Sequence, residues 1–128
     1  MPPQIDKGKL MNATVLKLKL EAKPQRLTLA QRQRFRISLT ATNQGSEIID
    51  PELHNVRLFV NGQPSKAWSL AIGNGRREDK WFALPPGDTV AMTWSSLGEA
   101  LFPEAGEFTL MLRYGDTELD PIQVQVHA

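Results

Sequence analysis

Two histidines and fourteen carboxylates, with no cysteine, are the raw material this chain offers for chemistry. Nucleophilic catalysis needs a base beside the nucleophile, most often histidine, and a third group to orient it. His127 is the penultimate residue, where chain ends fray, and His54 stands between Leu53 and Asn55 in a segment that reads as a loop before a strand. Neither is expected to serve as a base. Without cysteine there is no thiol nucleophile, no disulfide and no cysteine-ligated zinc, and two histidines fall short of a zinc site built on imidazole.

Carboxylates remain. Asp50, Glu52, Glu78, Asp79, Asp116, Glu118 and Asp120 are of the right type for the paired acids of glycoside hydrolysis, but they fall in turn-like segments where charge is ordinary surface. Glu47, Asp50 and Glu52 near one turn, and Asp116, Glu118 and Asp120 near another, offer the oxygen ligands that calcium takes. Calcium loops usually combine more carboxylates with a glycine at a fixed sharp bend. Gly73-Asn74-Gly75 lacks the following lysine and the helix of a phosphate-cradling loop. The expectation is a chain with no catalytic residue, no metal and no cofactor, that is, not an enzyme.

Aromatic side chains are the other functional candidates, because on a sheet face they stack on sugars or anchor a protein partner. Trp68 and Trp94 have aliphatic neighbours at spacing two and read as core. Trp81 and Phe82 are adjacent, so in an extended segment they point to opposite sides, and one of them is the best candidate for an exposed anchor. Arg32, Arg34 and Arg36 would join Lys17 and Lys19 in a positive stripe if the first two long strands are neighbours. Such a stripe is most often a solvated face or a guard against edge pairing, with a patch for an acidic partner as the alternative. With fifteen basic and fourteen acidic side chains the net charge is +1, too small for strong attraction to phosphate backbones, so no nucleic-acid partner is expected.

These residues hang on a chain patterned as short strands. Leu16, Leu18, Leu20 and Ala22 alternate with Lys17, Lys19 and Glu21, and Pro24 closes the segment. Leu27 and Leu29 suggest a short second piece. Phe35, Ile37, Leu39 and Ala41 alternate with arginine, serine and threonine before the turn at Asn43-Gln44-Gly45-Ser46. Val56, Leu58 and Val60 lead to Asn61-Gly62, the strongest hairpin signal in the chain, and Trp68, Leu70 and Ile72 then read as the apolar face of the returning strand. Residues 73–80 form a glycine-opened charged loop. Beyond Pro85-Pro86-Gly87-Asp88 come strands through Val90, Met92 and Trp94, through Phe108, Leu110, Leu112 and Tyr114, and through Ile122, Val124 and Val126. Residues 95–101 read as an irregular crossing or one turn of helix.

Seven to nine such strands with no convincing helix predict an all-β, antiparallel immunoglobulin-like β-sandwich, with a closed barrel as the alternative. At 128 residues one domain is expected, residues 14–127 after a tail at 1–13, and a hydrophobic share of 41% argues against disorder. No window approaches the roughly 18 apolar residues of a membrane-spanning helix, so no membrane partner is expected. Localisation is open: a native start at Met1 implies the cytoplasm, a trimmed one permits export.

At Leu84-Pro85-Pro86-Gly87-Asp88-Thr89, and again at Phe102-Pro103-Glu104-Ala105-Gly106-Glu107-Phe108-Thr109-Leu110, a proline-glycine turn opens a strand. This arrangement resembles the carboxy-terminal half of bacterial immunoglobulin-like modules, including the intracellular proteinase-inhibitor type and the adhesion-type repeats of surface proteins. The resemblance lies in residues 84–114 and implies a sandwich fold; a self-sufficient core, no catalytic set and a charged loop flanked by aromatics point to binding. The expectation is a non-catalytic protein-interaction module, in its narrower form a proteinase inhibitor. It would contact another protein through the loop at 73–80 and the aromatics after it, with Asn74, Arg76, Arg77, Trp81 and Phe82 as binding residues. A carbohydrate-binding module and a purely structural domain of a larger assembly are the alternatives.

Overall fold

Alternating sequence becomes alternating burial in the computed structural model, which describes residues 15–73 and 77–128. The strands are β1 (Leu16–Lys23), β2 (Arg26–Thr28), β3 (Arg36–Asn43), β4 (Arg57–Val60), β5 (Gln63–Pro64), β6 (Thr89–Trp94), β7 (Gly106–Tyr114), β8 (Thr117–Glu118) and β9 (Ile122–His127). Two short helices, α1 (Lys66–Gly73) and α2 (Gly98–Leu101), and 3-10 turns at Leu29–Arg34, Leu53–Asn55 and Asp79–Trp81 fill the connections. One sheet has the order β1-β3-β6 and the other β2-β9-β7-β4-β5, with β8 paired to β7. Every pairing between these strands is antiparallel except β2 with β9.

The inner faces meet in a single core. Ile37, Leu39 and Ala41 of β3 face Leu58 of β4, Leu110 and Leu112 of β7 and Val124 of β9, each no more than 1% exposed. Phe35 packs edge-on to Phe102 at 4.8 Å between centroids, and Phe102 in turn meets Phe108 at 5.0 Å. Burying each phenylalanine contributes roughly 1.5–3 kcal/mol. Gly98 closes this end. A methyl group there would overlap the carbonyl oxygen of Arg32, so only glycine lets α2 lie against the 3-10 turn before β3.

That contact also accounts for Arg32. Its Nε donates to the Leu29 carbonyl and its Nη1 to the Phe102 carbonyl, both at 2.9 Å, so it ties a turn to the core. The expected five-membered basic stripe is thereby corrected. β1 and β3 are neighbours, as the stripe required, but Arg32 and Arg34 lie in the 3-10 turn before the strand. The outer face of the three-stranded sheet carries Lys17, Lys19 and Lys23 with Arg36, beside serine and threonine pairs such as Ser38–Thr93 at 2.7 Å and Thr42–Thr89 at 2.9 Å.

A second correction concerns residues 66–72. The hairpin turn is present, with positive φ at Asn61 (50°) and Gly62 (82°), but the returning strand β5 is only Gln63–Pro64. Trp68 and Ile72 then lie one helical turn apart on α1, 0% and 2% exposed, while Leu70 between them is 66% exposed. A strand would have placed all three on one side. The Ser65 hydroxyl accepts the Trp68 backbone N–H at 3.1 Å and so caps the helix start. The Trp68 indole donates to the Val56 carbonyl at 3.0 Å and packs on Trp94 at 4.7 Å.

Candidate interaction surface

The carboxy-terminal end of α1 leaves backbone carbonyls without helical partners, and no basic residue lies in its last turn. Arg77 supplies the missing donor from beyond the helix. Its Nη2 donates to the Ala71 and Ile72 carbonyls at 2.9 and 3.0 Å, and its guanidinium lies 5.1 Å from the centroid of the Trp81 ring. One cation thus serves a helix end and an aromatic face together. The 3-10 turn Asp79–Trp81 presents Trp81 inward, at 3% exposure.

Phe82 turns the other way. It is 53% exposed, although its backbone is held by a bond from its N–H to the Asp79 carbonyl at 3.0 Å. Two residues on, Leu84 exchanges backbone hydrogen bonds with Ile49 at 2.7 and 3.1 Å, and both flanks of this bridge carry exposed apolar groups. Ile48, directly before Ile49, is 65% exposed. Together with Leu70 of α1, Ile48 and Phe82 are the exposed large hydrophobic side chains of the described residues.

Beneath the bridge sits Asn43, a fully buried polar side chain. Its Nδ2 donates to the carbonyls of Glu47 (2.8 Å) and Leu84 (2.9 Å), and its Oδ1 accepts the Gly45 N–H at 2.9 Å. Its backbone bonds to Asp88 and Gly87 as well. The turn after β3 and the turn before β6 are therefore fastened to each other. At the rim, Lys80 pairs with Asp88 at 3.0 Å. The Thr89 backbone N–H, and after it Lys80, hold the Asp88 carboxyl below the usual carboxylate range.

Of the five residues expected to bind, Asn74 and Arg76 lie outside the described residues. Arg77 and Trp81 come together, with Trp81 buried in the core and Phe82 the exposed member of the adjacent pair. Sequence patterning singled out neither Ile48 nor Leu70. The two-sides argument applied to Trp81-Phe82 would have placed one of Ile48 and Ile49 outward without saying which, whereas the exposure of Leu70 follows only once α1 is known to be a helix.

Several of the residues weighed for chemistry by type make contacts within the fold. The His54 carbonyl accepts Arg57 Nη1 at 3.0 Å, and Glu118 pairs with Arg113 at 2.7 Å while that guanidinium covers Phe59 at 4.8 Å. Asp50 Oδ1 accepts the Glu52 N–H at 2.9 Å within a turn whose Pro51 carbonyl takes the Tyr114 hydroxyl at 2.8 Å. Burial, with Glu52 and Asp50 nearby, pushes the Tyr114 phenol up to about 12. Among the described residues no group of three or more histidine, aspartate or glutamate side chains could hold a metal ion. No helix among them is long and apolar enough to cross a membrane.

No protein-family model matches the chain, and no curated protein does. Solved structures do. A β-glucosidase from Listeria innocua in complex with glucose superposes with a TM-score of 0.51 at 14% identity, covering 88% of this chain and 16% of that one. The same enzyme in complex with isofagomine gives 0.49 at 15% identity over the same shares. The CARDB domain of the PF1109 protein from Pyrococcus furiosus, in complex with di-metal ions, gives 0.49 at 14% identity, with 88% of this chain and 92% of that domain covered. This chain spans about one-sixth of the glucosidase. With the sheet order above, the class is an all-β, antiparallel immunoglobulin-like sandwich. At such identities the likeness concerns the fold.

Proposed function

We propose that this domain is a non-catalytic protein-interaction module whose contact surface centres on Phe82, with Ile48 on the facing segment. The observation that carries this reading is a large aromatic side chain left 53% exposed on a backbone secured on both sides, by the Arg77–Trp81 stack and by the Ile49–Leu84 bridge. A preorganised aromatic anchor loses little conformational freedom on binding, which is why such residues dominate interface energetics. The absence of catalysis belongs to the same proposal; hydrolase activity that survived repurification would overturn it.

Phe82→Ala is expected to lower the thermal midpoint by no more than about 5 °C, since about half of the side chain is already exposed, and to weaken partner binding by about 2 kcal/mol or more, about thirtyfold. The partner would be recovered by affinity capture from the source cell and its affinity measured by calorimetry on the purified pair. Undiminished affinity in the Phe82→Ala, Ile48→Ala double variant would remove the site. The proteinase-inhibitor form rests on the resemblance at residues 84–114. It requires loss of protease activity on incubation with serine proteases; ready digestion with full activity retained would exclude it. Saturable binding on a glycan array would favour the carbohydrate-binding class instead.

A further inference from the structure

The opposite margin of the sandwich carries a different feature. β1 is an end strand of the three-stranded sheet: all eight of its residues pair with β3, from Leu16 opposite Asn43 to Lys23 opposite Arg36, and its other edge meets no strand among the described residues. The apolar face of the sheet is unfinished there. Leu39 and Ala41 of β3 are 1% and 0% exposed, but Leu20 and Leu18, their partners on β1, are only half-buried. In the facing sheet, β2 accompanies β9 along Gln125–His127 only, so Ile122 at the start of β9 is half-buried too. Between the two margins runs an open groove of about 420 Å³ lined by Leu20, Glu21, Ala22, Lys23, Gln25 and Ile122.

We propose that this edge receives an extended, acidic peptide segment as an added strand beside β1. An incoming strand would satisfy the outward backbone groups of β1, and its apolar alternate positions would cover Leu18, Leu20 and Ile122. Charge decides what occupies the other positions. The solvent-side residues of β1 are Lys17, Lys19, Glu21 and Lys23, all exposed, with Arg36 opposite Lys23. Opposite charges across a strand pair stabilise and like charges directly opposed destabilise, so a strand with glutamate or aspartate at alternate positions fits. A second copy of this chain pairing antiparallel through β1 would set Lys19 against Glu21 but Lys17 against Lys23 in the register centred on Leu20, whereas an acidic strand meets three lysines on that face and only Glu21 as a like charge. The lysines therefore favour an acidic partner over a second copy.

The test uses the full chain and two terminally blocked heptapeptides, one alternating valine with glutamate and one alternating valine with lysine, followed by backbone amide shifts and amide exchange. The glutamate peptide is expected to bind saturably, with shifts and slowed exchange concentrated in residues 16–23, at least about tenfold tighter than the lysine peptide, and more weakly as salt rises. Reversing the exposed charges with Lys17→Glu, Lys19→Glu and Lys23→Glu should invert the preference between the peptides. Equal binding of both, effects located elsewhere, or no saturation at millimolar peptide would overturn the proposal. So would protection of residues 16–23 that grows with protein concentration alone, which would make the occupant a second copy. Wild-type selectivity between the two peptides is decisive even where the charge-reversal variant folds poorly.

Discussion

Asn43 and Tyr114 show how single polar groups fix segments that apolar packing alone would leave loose. Asn43→Ala removes three side-chain hydrogen bonds, to Glu47, Leu84 and Gly45, from a fully buried site and leaves the Leu84 carbonyl only its bond from the Ile49 N–H. Denaturant unfolding should register a loss of about 2–3 kcal/mol, larger than a surface asparagine would give. Tyr114 adds a pH dependence. Its phenol titrates near 10 in the unfolded chain and at about 12 when folded, because burial and the nearby carboxylates disfavour the phenolate. A raised folded value means the stabilising contribution is complete below pH 10 and is lost as pH climbs from 10 toward 12. Wild type should therefore lose stability across that window more steeply than Tyr114→Phe, as followed by thermal melts at stepped pH. Little of this could be read beforehand. Asn43 looked like a turn residue by composition, and its burial arises because backbone from residues 45–47 and 84 converges on it. The pair Trp81-Phe82 required one side chain in and one out, yet which was which depended on the 3-10 turn that carries Trp81, not on alternation.

Among elements, α1 is where pattern and fold parted. Trp68, Leu70 and Ile72 satisfy a period of two, while Trp68 and Ile72 alone satisfy a helical turn. Short apolar runs do not distinguish the two. Pro64 ends the returning strand after two residues, and the Ser65 cap with good helix formers after it tips the balance. The difference is measurable. Leu70→Lys should change stability by less than about 0.5 kcal/mol, as for a solvent-facing helical position, whereas Ile72→Lys should cost about 4 kcal/mol or more by burying an unpaired charge. Equal damage from both in denaturant titrations would restore the strand reading. The long strands, by contrast, were legible nearly residue by residue. β1, β3, β7 and β9 each bury one face against the other sheet, so their alternation records a tertiary constraint and not merely a local preference.

For the molecule as a whole, the sandwich follows from the number of independent alternating segments. The division of strands between sheets was not legible, because alternation states that a face is buried and not against which partner. β2 is the instructive case. Only three residues long, it leaves the sheet of β1 after the cis Lys23-Pro24 peptide and joins the opposite sheet parallel to β9. In mechanical terms this makes residues 16–28 a strap across both layers, with the first and last strands of one sheet running side by side in the same direction. Tension that reaches β2 from the amino-terminal side and β9 from the carboxy-terminal side would load their hydrogen bonds in shear, all at once. Tension applied across the Asn61-Gly62 hairpin would instead open β4 and β5 one pair at a time. In single-molecule pulling the domain should therefore yield at higher force through its ends than through that hairpin.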